Sequence, residues 1–142
     1  MKKQISIFLT LLLATSLMAQ LPQGRTTSDA LAQLPAETPD NYEKVMTDLV
    51  STGEQGLTDL IGRLNPPGKE SNETIDFAID GWVNFVANDD VKRAIAASVL
   101  EKALTQPLDD EIKAFLIRRL ERIASNEQVN TLASLLSDKR LS

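Results

Sequence analysis

Residues 109–140 read DDEIKAFLIRRLERIASNEQVNTLASLLSDKR, and two amphipathic helices are written into them with one short break between. Ile112, Leu116, Leu120 and Ile123 recur four, four and three residues apart, the interval that keeps side chains on one face of a 3.6-residue helix. Asp109, Asp110 and Glu111 place negative charge on the first turn, where the helix dipole favours it. Asn126 starts a second helical pattern through Val129, Leu132, Ala133, Leu135 and Leu136, and Ser137-Asp138-Lys139-Arg140 reads as the turn after it. A lone amphipathic helix with a trailing turn calls for a partner helix, and Ser142 falls where that partner would begin.

Moving toward the N-terminus, the same grammar repeats. Asn88-Asp89-Asp90 closes one helix and caps the next, whose expected stripe is Val91, Ile95, Val99 and Leu100, running on to Leu104 before Pro107 interrupts. Ser71 or Asn72 caps a helix carrying Ile75, Ile79, Val83 and Val86. Before it, Asn65-Pro66-Pro67-Gly68 breaks the chain, because two prolines remove successive amide donors and fix φ. Residues 54–64 carry Leu57, Leu60, Ile61 and Leu64 on one stripe, and Tyr42, Val45, Met46, Leu49 and Val50 form another that ends at Gly53. No window alternates with a period of two for long enough to suggest a strand. The expected fold class is all-α.

The helices also repeat at a fixed interval. Leu64, Leu100 and Leu136 are 36 residues apart, as are Leu60, Ala96 and Leu132, and Ile61, Ala97 and Ala133. Ile75 pairs with Ile112, Ile79 with Leu116, Val83 with Leu120 and Val86 with Ile123 at an interval of 37. Such periodicity predicts a short α-solenoid of antiparallel helix pairs, residues 54–87, 89–125 and an incomplete last repeat from 127. A unit of this kind buries its apolar face only by stacking on neighbours. The chain is therefore read either as a fragment of a longer protein or as one whose last helix is the cap.

Composition bounds the chemistry. Lys2 and Lys3 precede an almost charge-free run over residues 5–18, with Ala19 available for cleavage. Residues 1–19 thus read as a signal peptide, since a membrane span needs about 20 apolar residues. Export is expected, to the periplasm or the cell exterior, with no stable membrane insertion after cleavage. Without Lys2 and Lys3 the chain holds 13 basic and 20 acidic residues, a net charge of −7. A phosphate backbone is bound through Lys and Arg that displace counterions, so nucleic acid is not an expected partner. Cysteine and histidine are both absent, which removes disulfides, thiolate metal sites and the commonest base near neutral pH. An exported domain without disulfides must be held by its core, and 42% of the residues are hydrophobic. Residues 20–39 read as a leader with one short helix capped by Thr27 or Ser28, and residues 40–142 as the helical domain.

Three constellations stand out. Glu73, Asp76 and Asp80 lie on one helix face and suit a hard cation or acid–base work, or simply a solvated face. Arg118, Arg119 and Arg122 form the basic cluster, fit to clamp a carboxylate or sulfated sugar, or else to bridge to an adjacent repeat or stand in solvent. Trp82, the single tryptophan, stands beside Gly81 with Phe77 and Phe85 at helical distances. It is suited to stacking on a sugar ring or partner peptide, or to packing between units. Trp82, Arg118, Arg119 and Arg122 are the candidate partner-binding residues. Without histidine there is no standard triad, and neither a nucleophile elbow nor a phosphate-cradling loop occurs. No catalytic centre, cofactor or metal is expected.

NTLASLLSD (residues 130–138) and DDEIKAFLIRRLERIA (109–124) resemble the first and second helices of HEAT-type repeats. Asp76 stands where that pattern has a basic residue, which Lys113 supplies in the next unit. LPQGRTTSDALAQLPAETPDNYEKVM (21–46) followed by LVSTGEQGLTDLIGRLNPPGK (49–69) is similar to the N-terminal part of large exported Bacteroidota proteins. There, HEAT-like repeats precede a β-sandwich of the 3-keto-disaccharide hydrolase type. No residue here corresponds to that catalytic domain, so the resemblance implies no carbohydrate chemistry for this chain. The reading is an exported, non-catalytic module for protein–protein interaction or scaffolding, whose partner is another protein or a covalently linked downstream domain. Its alternatives are the accessory fragment of a carbohydrate-active enzyme and a small sugar- or peptide-binding protein.

Overall fold

The computed structural model describes residues 26–141; the expected signal peptide lies outside them. Seven α-helices follow in order: α1 (Thr27–Leu31), α2 (Pro39–Ser51), α3 (Gly53–Gly62), α4 (Glu73–Val86), α5 (Asp90–Leu104), α6 (Asp110–Ile123) and α7 (Val129–Leu136). A 3-10 turn, Asn126–Gln128, leads into α7. Among the described residues there is no strand, and the protein is all-α.

The helix starts follow local chemistry. The Thr38 hydroxyl accepts from the Asn41 N–H, Asp89 from the Lys92 N–H and Asp109 from the Glu111 N–H, each satisfying an amide that a helix N-terminus leaves without an intrahelical partner. Between α2 and α3 the chain reverses at Gly53, whose φ of +66° suits glycine. After α3 the loop is closed by a side chain. The Asn72 amide accepts from the Asn65 N–H and donates to the Asn65 carbonyl, both at 2.8 Å. One side-chain amide thus pairs both backbone polar groups of a residue whose successors, Pro66 and Pro67, have no N–H to offer.

From α1 to α4 each helix packs on the next and on the one after that; α5 then packs on α6, and α6 on α7. Met46, Leu49, Leu57, Leu60, Ile79, Leu100, Leu116 and Leu120 are fully buried between them. Burying one such side chain contributes about 1.5–3 kcal/mol, and in a chain without cysteine this term must offset chain entropy unaided. The leader takes part. Ala30 and Thr27 of α1 are buried, and the Arg63 guanidinium at the end of α3 donates to the Ser28 hydroxyl at 2.9 Å.

Two expectations are corrected. On α5 the apolar stripe does not run through Val91 and Ile95, which are 71% and 46% exposed. The buried residues are Ala96, Ala97, Val99, Leu100 and Leu104. With Val91, Ala94, Ile95, Ala96, Ala97, Val99 and Leu100 nearly encircling the helix, periodicity does not single out a face. The small Ala96 and Ala97 turn inward, where α3 and α6 pack. At the other end α7 starts at Val129, three residues later than Asn126, because Ser125 and Gln128 form a capping box around the 3-10 turn. No residue of α7 is fully buried; Leu132 and Leu135 rest partly covered on the core.

Candidate functional site

The face shared by α4 and α6 gathers the charged residues that the sequence singled out. On α4, Asp76, Asp80 and Asn84 recur every four residues; on α6, Phe115, Arg119 and Arg122 do nearly the same. Because α4 packs on α6, the two rows meet. The Arg119 guanidinium donates from Nε and NH2 to the two carboxylate oxygens of Asp80, at 2.9 and 2.8 Å. The same guanidinium lies 3.6 Å above the Phe115 ring. Arg122 reaches Asp80 at 3.6 Å and donates to the Asn84 side-chain oxygen. A forked contact of this kind holds one relative position of two helices better than a point charge does. With Asp80 36% exposed, solvent screening limits its contribution to about 1 kcal/mol.

Beside this network, a cavity of about 450 Å³ opens where the turn after α3 faces the start of α6. Leu64, Pro66, Pro67, Ile112 and Phe115 give it an apolar wall. Glu70, Asp76, Glu111 and Arg118 supply charge, and among the described residues their side chains make no hydrogen bond or salt bridge. The volume lies in the range of roughly 300–1,000 Å³ typical of small-ligand sites. Its floor is set by the Asn72 clasp, which ties the turn to the start of α4.

Asp76 is the strained member. Burial raises its carboxyl above the ordinary value of 3.8, the Arg119 charge opposes that shift, and Asp80 adds to it. Since the folded state holds this proton more tightly than the unfolded chain, ionised Asp76 disfavours folding. The penalty is complete above the raised value and disappears once pH falls below the ordinary one. Asp76→Asn is therefore expected to raise the melting temperature slightly at about pH 7 and to leave it unchanged at about pH 3. Thermal melts at the two pH values check this; a loss of stability at neutral pH would contradict it.

Of the four candidate binding residues, Arg118 faces the cavity, while Arg119 and Arg122 are engaged with α4. Trp82 is 3% exposed and belongs to the core, so its indole offers no open face for stacking. Its neighbours Phe77 and Phe85 lie at the surface, 42% and 36% exposed; Phe77 meets Tyr42 edge-on at 6.0 Å. Asp80 and Asn72 carry more of the site than their positions in the sequence announce. Among the described residues no three of His, Cys, Asp and Glu gather as a metal-binding group, and no helix is long and apolar enough to cross a membrane. No family model, curated protein or solved structure matches the chain.

Proposed function

We propose that this chain is an exported, non-catalytic α-helical repeat module that holds a partner protein, or a linked domain, against the α4–α6 face. One observation carries the reading: from α1 to α4 every helix packs on its successor and on the next but one, and α5 and α6 each pack on their successor. That pattern is what a short HEAT-like stack of antiparallel pairs requires, with α3 and α4 as one unit, α5 and α6 as the next, and α7 opening a third. In such an arrangement α1 and α2 stand ahead of the first unit and cover its apolar side. A stack places successive second helices side by side and so presents a fixed surface without any reactive group, and the Asp80–Arg119 fork holds α4 and α6 in register. The unpaired charges beside the apolar wall are suited to recognition of another chain.

The reading is tested by quantitative affinity capture of interacting proteins with the wild-type chain, Arg118→Glu and Val91→Ser. Reversing the charge at the cavity is expected to remove a partner that Val91→Ser, on the exposed side of α5, retains. Identical captured sets for all three, or no captured protein, would overturn it, provided melting curves show each variant folded.

A further inference from the structure

We propose that the cavity between the Pro66–Gly68 turn and α6 receives a basic side chain, lysine or arginine, of an extended partner segment, with its aliphatic stem on the apolar wall. The inference deepens the interaction-module reading above and rests on it. The cavity has two unlike surfaces. Pro66, Pro67, Ile112 and Phe115 offer a rigid apolar strip, which suits the methylene stem that lysine and arginine bury while keeping their charge outside it. Glu70, Asp76 and Glu111 set three carboxylates against the single guanidinium of Arg118, so a cation gains and an anion loses on entering. Half-buried Asp76 makes no salt bridge among the described residues, although Asp80, one turn along α4, is held by two arginines. Arg119 cannot turn to Asp76 while both ends of its fork are on Asp80 and its plane lies over Phe115. The ionised carboxylate therefore stays at the cavity with its cost only partly offset by the Arg119 charge, and an arriving ammonium or guanidinium group relieves the rest. Arg118, the one positive group lining the cavity among the described residues, is left for a carbonyl or carboxylate of the same segment.

Size agrees with this occupant. A volume of about 450 Å³ exceeds one lysine side chain and accommodates it together with a flanking residue. A free metal ion is a poorer fit, since no three ligands gather there among the described residues.

The test uses the full chain, labelled with ¹⁵N, and four capped pentapeptides. Each carries a central lysine, arginine, norleucine or glutamate flanked by leucine. The lysine and arginine peptides are expected to shift the amides of Gly68, Asp76, Glu111 and Phe115. The norleucine peptide should bind about five-fold more weakly, and the glutamate peptide not at all, as expected where each charge contributes modestly. Asp76→Asn, which leaves the packing intact, should weaken the lysine peptide by a similar factor. Equal binding of the norleucine and lysine peptides, or no shift at these amides, would overturn the inference. If affinity capture still shows a partner that depends on Arg118, only the assignment of a basic side chain fails. If that capture also fails, the interaction reading falls with it.

Discussion

Trp82→Ala is expected to destabilise the protein by about 3–5 kcal/mol, the usual cost of truncating a large buried aromatic. The indole is 3% exposed in the middle of α4, between fully buried Ile79 and Val86 and next to Val83. Removing it deletes transfer energy and leaves a void that the surrounding helices fill only in part. Against a total stability of about 5–15 kcal/mol for a typical domain, that loss is a large share. Urea unfolding followed by circular dichroism measures it, with Trp82→Phe as the milder comparison. In the wild type the same indole reports unfolding by fluorescence, since the chain holds one tryptophan. A midpoint for Trp82→Ala within the error of wild type would mean that the indole does not sit in the core.

Gly81→Leu carries the second large effect. A Cβ at Gly81 would stand 2.6 Å from the Met46 sulfur, 3.0 Å from its methyl carbon and 3.1 Å from the Tyr42 hydroxyl. Those atoms belong to α2, so the missing side chain is what lets α2 lie against α4. Leucine there must push α2 outward or force Met46 and Tyr42 from their rotamers, at about 1–3 kcal/mol or more. Gly81→Ala is the instructive control. Its clash falls on a flexible thioether, and alanine regains about 1 kcal/mol of helix propensity, so the two effects nearly cancel. Thermal melts of the pair distinguish close packing from propensity: if leucine is tolerated as well as alanine, α2 does not pack closely on α4 here.

Much of this molecule was legible in its sequence, for reasons that differ by element. The helix limits near Asp89, Asp109 and Pro66 were readable because caps and prolines act within a few residues. The stripe on α6 was readable because Lys113, Arg118, Arg119, Glu121 and Arg122 leave Ile112, Leu116, Leu120 and Ile123 as an apolar row at helical spacing. On α5 the pattern was illegible: alanines and branched residues surround the axis, and only the packing of α3 and α6 selects Ala96 and Ala97 as the inner face. In the short first helix the edge of Ala30, Leu31 and Leu34 was readable: Ala30 is buried, and Leu31 and Leu34 rest partly covered on the core.

The candidate site was half legible. Arg118, Arg119 and Arg122 announced themselves as a cluster, and bridging to a neighbouring element was one of their readings; Arg119 and Arg122 do pair with Asp80 of α4. Their partner was not readable. In the 37-residue alignment Asp80 matches Ile117, yet it pairs with Arg119, because a guanidinium on a long stem reaches diagonally across two packed helices. The clasp of Asn72 on Asn65 was equally hidden. Seven residues separate them, and nothing in a loop of Asn, Pro, Gly, Lys and Glu says which amide will close it.

That clasp separates the cavity rim from its footing. The backbone at Asn65 is moored to Asn72, the residue just before α4, so residues between the two moorings are spare length. Insertions or exchanges at Lys69 and Glu70 would reshape the entrance while the base and both flanking helices stayed where they are. A scaffold arranged like this can change what it admits without being refolded around each new visitor.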